Sequence, residues 1–244
     1  MIIRLIDSQV FSIFTLTSAG PSSGSSSVLK RVFGVLLSVG LALSTATAAQ
    51  TAPSSQESES SDKGQSAIIA TLFGKSITAA DISPSDEVLG KMASQSNSSD
   101  EQNAMVALAS LTNLSELIIE GILDDYFAQN NLTLDATLVE KFKTKFAGSA
   151  KDDVISSDVA ERQVMIFLAE KHMYNAYGGK VVFRQSNPQL PVGAYYKILK
   201  NYEQAGKFTI LDKSLSEGFW APFTPPYQYE LGEDTVDFTQ PWWL

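Results

Sequence analysis

Hydrophobic positions change their period along this chain, and each change predicts an element. Residues 32–43 are an uncharged, predominantly apolar run. From Gln50 to about Gln65 the chain is Ser, Glu, Gln and Pro with no apolar period, which predicts a disordered linker over 50–66. Ile68 to Phe73 is a short β-rich run that ends in the Gly74-Lys75 turn, and Ser76-Ile77 pairs back on it. Thr78, with Asp81 three residues on, reads as an N-cap. Ser83-Pro84-Ser85-Asp86 restarts a helix with a proline at its first position, running to about Gln95.

The strongest helical pattern covers 101–129. Leu108, Leu111, Leu114, Leu117-Ile118, Ile122 and Tyr126 recur at spacings of three and four. Asn130-Asn131 stops it, and Thr133 or Asp135 begins another helix with Leu138, Val139, Phe142 and Phe146 on its apolar face. Lys141, Lys143 and Lys145 sit in its last turns, against the negative end of the dipole, and Gly148 closes it. A third long helix is predicted from about Asp152 to Tyr177, with Asp152-Asp153 at its positive end and Gly178-Gly179 as its stop. Beyond it come a strand candidate at Val181-Val182-Phe183, a turn at 187–191, a helix over Val192–Gln204 closed by Gly206, a strand candidate at 208–211 and a short helix near Ser214–Trp220. The tail from Pro222 to Leu244 is aromatic, proline-rich and expected to be extended. The expected fold is mostly α, an α+β bundle of long helices with two or three short strands and an extended aromatic C-terminal tail.

The apolar run at 32–43 has its own meaning. Lys30-Arg31 precede it and Ala46-Thr47-Ala48 follow, in the order of a secretory signal peptide. Twelve residues of helix are too short for the ~30 Å hydrocarbon core, so stable membrane insertion after cleavage is not expected. Residues 1–27 precede that signal, so either translation starts at Val28 or the leader is unusually long. The expected organisation is a leader at 1–49 with a signal core at 28–49, a linker at 50–66, a helical module at 67–179 and a C-terminal segment at 180–244 packing on the module.

Composition narrows the function. The 244 residues carry a net charge of −9. Without 1–49, which hold Arg4, Lys30 and Arg31 against Asp7, there remain 15 basic and 26 acidic residues and a net charge of −11. A surface so acidic repels nucleic acid and anionic lipid. There is no cysteine, which excludes disulfides, thiolate metal sites and a cysteine nucleophile; the single histidine, His172, excludes a His-rich metal centre within one chain. No metal and no cofactor is expected. An exported, cysteine-free, acidic chain fits the periplasm of a Gram-negative bacterium, or secretion from one. There the Asn97-Ser98-Ser99, Asn113-Leu114-Ser115 and Asn131-Leu132-Thr133 triplets are chance matches to a glycosylation motif.

The stretch Ile69-Ala70-Thr71-Leu72-Phe73-Gly74-Lys75-Ser76-Ile77-Thr78-Ala79-Ala80-Asp81 resembles the opening of the SurA-type periplasmic chaperone and foldase family. Leu117 to Leu123, followed by Tyr126 to Asp135, is similar to that family's Leu/Ile-rich helix, its Asn-x-Leu loop and the next helix. The resemblance covers roughly 67–146, and more loosely 152–177. It implies an N-terminal-type helical module that holds unfolded or extended polypeptides, outer-membrane proteins among them. It does not bring prolyl isomerase activity: the parvulin domain is missing, since one histidine and the 65 residues after Gly179 do not supply it.

No catalytic residue is assigned. His172 lacks a nucleophile to serve and reads as a packing or surface residue. Glu116, Glu120, Asp124 and Asp125 make an acidic stripe that reads as a solvated face, although stacked carboxylates also serve cation binding or hydrolysis. The C-terminal aromatics offer two readings. Tyr195, Tyr202, Phe219, Trp220, Phe223, Trp242 and Trp243 can line a groove that grips extended peptides, or can complete a small core. Three function classes follow: a non-catalytic polypeptide binder, an exported enzyme of unfamiliar type using the acidic residues, and an assembly partner of an envelope complex docking through its aromatic tail.

Overall fold

A computed structural model describes residues 67–147 and 155–244. The expectations for the leader, the signal peptide, the 50–66 linker, Gly148 and the Asp152-Asp153 pair lie outside those residues. Within them the fold is mostly helical, with one small antiparallel sheet.

Two strands, β1 (Ile68–Leu72) and β2 (Lys75–Thr78), form a hairpin whose two-residue turn is Phe73-Gly74. Both turn residues have positive φ, 48° and 76°, the pair of left-handed conformations that matches the twist of a tight hairpin. Thr78 does not cap a helix. Its N–H and hydroxyl both donate to the Asp81 carboxylate, at 2.8 and 2.7 Å, in a turn that leads on to the first helix.

Helix α1 (Asp86–Gln95) is capped by Ser85, so Pro84 lies just before the cap and not at the first helical position. Helix α2 (Ser99–Gln129) is about 46 Å long at 1.5 Å per residue and is capped by Ser98, whose hydroxyl accepts from Glu101 N–H. Asp135 caps α3 (Ala136–Phe146), accepting from Thr137 and Leu138 N–H. Helix α4 (Ser157–Tyr177) begins at its Ser156 cap, five residues later than the sequence pattern predicts, and ends at Gly178. Helix α5 (Val192–Gln204), strand β3 (Phe208–Ile210) and helix α6 (Lys213–Trp220) follow. Strand β3 pairs antiparallel with β1, giving the order β2-β1-β3.

The Val181–Phe183 segment is not a strand of that sheet. Val182 makes isolated bridges to Leu190 and Glu230, and Phe183 N–H donates to Tyr229 O at 2.8 Å. The tail therefore runs back over the 181–183 segment. It is not simply extended, since short 3-10 turns form at Ala221–Phe223 and Glu233–Thr235.

Two apolar clusters hold these elements. The larger joins the second half of α2 (Leu114, Ile118, Ile122, Leu123), the end of α4, the inner face of α5, Phe208 and Phe219. The smaller joins Val139 and Phe142 of α3 to Val164 and Phe167 of α4, and the tail closes it with Phe238 and Trp243. Close backbone packing lets α5 sit where it does. A Cβ on Gly193 would lie 2.5 Å from Lys180 N and 2.8 Å from Gly179 Cα, so only glycine fits.

Candidate functional site

The aromatic residues proposed to line a groove are for the most part interior. Phe219 is 1% exposed and Trp243 3%, and Tyr195, Tyr202 and Phe223 are likewise buried. Phe219 packs edge-on against Phe208 (5.7 Å between ring centres), and Trp243 stands edge-on to Phe142 and Phe167 at 5.2 and 5.5 Å. Rings held in this way do not line an open groove for an extended peptide. Trp220 and Trp242 are half-buried; Lys200 Nζ covers the Trp220 ring at 3.8 Å. The structure brings Tyr195, Tyr202, Phe219, Trp220 and Phe223 into one cluster and places Trp242 and Trp243 in another, so the seven rings do not share a surface.

The acidic stripe lies on an outer face of α2. Arg162 of α4 pairs with Asp124 and lies 3.7 Å from Glu120, and Gln129 donates to Asp125 at 2.7 Å. These carboxylates are spread along a solvated face crossed by an arginine, and among the described residues no group of three metal-ligating side chains is gathered. His172 Nδ1 lies 2.8 Å from the Tyr126 hydroxyl. Burial, and secondarily Tyr177, pushes the Tyr126 phenol up to about 12, so it remains a neutral partner for the imidazole.

The structure singles out Glu170, a residue sequence reasoning passed over. It sits on the buried side of α4, one turn after Phe167 and one before Met173, and is only 4% exposed. Asn187 Nδ2 donates to both carboxyl oxygens at 2.9 Å, and the Tyr195 hydroxyl donates to Oε1 at 2.9 Å. The Asn187 amide is oriented by Gln189 N–H, which donates to its Oδ1 at 3.2 Å. Burial lifts the Glu170 carboxyl to about 7, against the opposing pull of the Asn187 and Tyr195 hydrogen bonds. In turn, burial and the adjacent Glu170 push the Tyr195 phenol far up, which keeps it a donor.

Glu170 also lines a cavity of about 160 Å3, together with Gln163, Ile166 and Phe167 of α4, Ser186 and Asn187 of the following turn, and Trp242 and Trp243 of the tail. The turn that carries Asn187 is tied to the tail by the Gln189 side chain, whose amide donates to Asp237 O at 2.9 Å and whose oxygen accepts from Asp237 N–H at 2.6 Å.

A second feature is the first half of α2. Its buried residues begin only at Leu114, and α1, which packs on it, has none. Val88 and Leu108 are exposed, and Met105 and Val106 half-exposed, along this pair of helices. By length and composition α2 is apolar enough to cross a membrane, and 22% of its most apolar stretch is buried in the fold.

Comparison with family models, with curated proteins and with solved structures finds no match to this chain.

Proposed function

We propose that this protein is an exported, periplasmic binder of unfolded or extended polypeptides that acts without chemistry, in the manner of the SurA-type helical modules its sequence resembles. The observation that supports the reading is the unburied apolar surface of α1 and the first half of α2, where Val88 and Leu108 face solvent. An apolar surface of this kind, edged by Asp, Glu and Ser, suits side-chain-tolerant contact with apolar segments of a client. It moves the binding surface from the aromatic tail to the other end of the chain. Outer-membrane proteins, which expose alternating apolar side chains when unfolded, are the client class on which the reading is most directly tested.

The test is suppression of aggregation of a chemically unfolded outer-membrane protein, with a proline-limited refolding reaction run beside it. Suppression at near-stoichiometric amounts and no change in refolding rate are the expected results. The double variant Val88→Asp/Leu108→Asp should retain the fold, because both side chains are exposed, and lose the suppression. No suppression by the native protein, or equal suppression by the variant, overturns the assignment. Association with lipid vesicles in place of polypeptide assigns this face to a bilayer instead.

A further inference from the structure

We propose that the cavity bounded by Glu170, Ser186, Asn187, Trp242 and Trp243 is a binding site for a small primary ammonium group. The carboxyl at its wall is nearly inaccessible to solvent and its protein partners, Asn187 and Tyr195, are both neutral donors. No described cation forms an ion pair with it; Arg162 of α4 pairs with Glu120 and Asp124, and its charge is felt at Tyr195, the hydrogen-bond partner of Glu170, without contacting the carboxylate itself. Lys171, the next residue, turns its Nζ to Thr239 O (3.3 Å) and lies 5.9 Å from the Phe167 ring centre. Across the tail, Asp237 is engaged by Thr239 and Gln189. Ionised Glu170 therefore has no contacting counter-charge among the described side chains, a position that a cationic ligand can take.

The hydrogen-bond count selects the kind of cation. A carboxylate has about four acceptor positions. Oε1 already takes two donors, Asn187 and Tyr195, while Oε2 takes one, from Asn187. A guanidinium would require one free position on each oxygen to bind through both arms, and Oε1 has none left. A single N–H from an ammonium fits the position left on Oε2. The Gln163 and Ser186 side chains supply further acceptors, and the half-buried Trp242 and the buried Trp243 complete the wall with aromatic rings, the side-chain type that attracts cations. Trp243 also carries an indole N–H with no hydrogen-bond partner among the described residues, a donor for a carbonyl next to the ammonium. The volume, close to that of a benzene-sized cavity, limits the ligand to a few heavy atoms. Two sources carry such a group: a free small amine, or the amino terminus of a polypeptide.

The experiment titrates the full protein with ethylammonium, with guanidinium, and with one short peptide in free and N-acetylated forms, following the indole N–H resonances of the tryptophans. Ethylammonium should shift the signals of Trp242 and Trp243 and leave Trp220 unmoved, with a Kd on the order of 1–10 mM for so few atoms. Guanidinium should bind at least about tenfold more weakly, by the acceptor count above. Because only ionised Glu170 attracts the cation, affinity should rise about tenfold between about pH 6 and about pH 8, while the amine remains protonated throughout. Glu170→Gln should remove both the binding and its pH dependence. Tighter binding of the free peptide than of its acetylated form marks a chain terminus as the source; preference for ethylammonium marks a small amine. No shift with ethylammonium, equal binding of guanidinium, or an affinity flat with pH in the native protein each overturns the proposal, even if Glu170→Gln does not fold. The polypeptide binding proposed above uses a different surface and is read by a different assay, so neither result decides the other.

Discussion

Glu170 ties the stability of the fold to pH in a direction opposite to that of most carboxylates. In the unfolded chain it ionises near its ordinary value of 4.5, and in the folded protein burial lifts it to about 7. Between those values the folded protein holds a proton that the unfolded chain has released, so stability falls as pH rises. The benefit is complete below pH 4.5 and gone once the pH has passed through about 7. At about 1.4 kcal/mol for each pH unit separating the two values, the loss amounts to about 3 kcal/mol. The side chain is 4% exposed, so solvent screening does little to reduce that figure. Glu170→Gln removes the titration while keeping the shape. Urea unfolding of both proteins should show native stability declining by about 3 kcal/mol relative to the variant between about pH 4.5 and about pH 8. By pH 8 the variant should match or exceed the native protein, less the cost of the acceptor lost opposite Asn187, about 1 kcal/mol. Parallel pH profiles for the two proteins would refute the reasoning, because they would mean that Glu170 ionises in the folded state as it does in water.

Three further substitutions test the packing. Phe219→Ala should cost about 3–5 kcal/mol in chemical denaturation, since the ring is 1% exposed and flanked by Phe208, Trp220 and Phe223. Gly193→Ala should cost about 2 kcal/mol or more, because the added methyl would meet backbone at 2.5 Å and not a movable side chain; a thermal shift within experimental scatter would show that α5 can back away. Asp135→Ala removes a cap that accepts from two N–H groups and should cost about 1 kcal/mol, measured by urea midpoint.

Local chemistry made much of this fold legible. Helix α5 is legible because Tyr195, Ile198, Leu199 and Tyr202 repeat at helical spacing between a proline and a glycine, and these four are buried together with Val192 and Ala194. The β1–β2 hairpin followed from a glycine turn between β-rich residues. The Asp152-Asp153 pair suggests a charged first turn for α4, but the helix starts at Ser157 with the Ser156 hydroxyl as its cap, accepting from Val159 N–H, a signal that one serine does not announce in the sequence. The 181–183 run looked like a strand and became a pair of bridges, since its partners, Leu190 and Glu230, are set by tertiary contact.

The sites were harder to read. The rings of the tail were aromatic enough to suggest either a surface or a core, and composition cannot separate the two; burial does. Glu170 had a signal that was available. It occupies the stripe defined by Phe167 and Met173, and a charged residue on an apolar stripe is out of place unless paired or neutral. Its partners could not be read in the same way, because Asn187 and Tyr195 lie 17 and 25 residues away on other elements.

The way both clusters close has a consequence for the order in which the chain can fold. Strand β1, at the centre of the sheet, finds its second neighbour only at Phe208–Ile210, and the α3–α4 pair is sealed by Phe238 and Trp243. A chain growing from its amino terminus therefore leaves the α2 face incomplete until α5, β3 and α6 arrive, and the α3–α4 pair unsealed until Phe238 and Trp243 are available. Cooperative folding has to wait for segments a hundred residues distant to return, which raises contact order and slows the search. Removing the last few residues would deprive α3 and α4 of the rings that cover them, even though every one of their own residues remained in place.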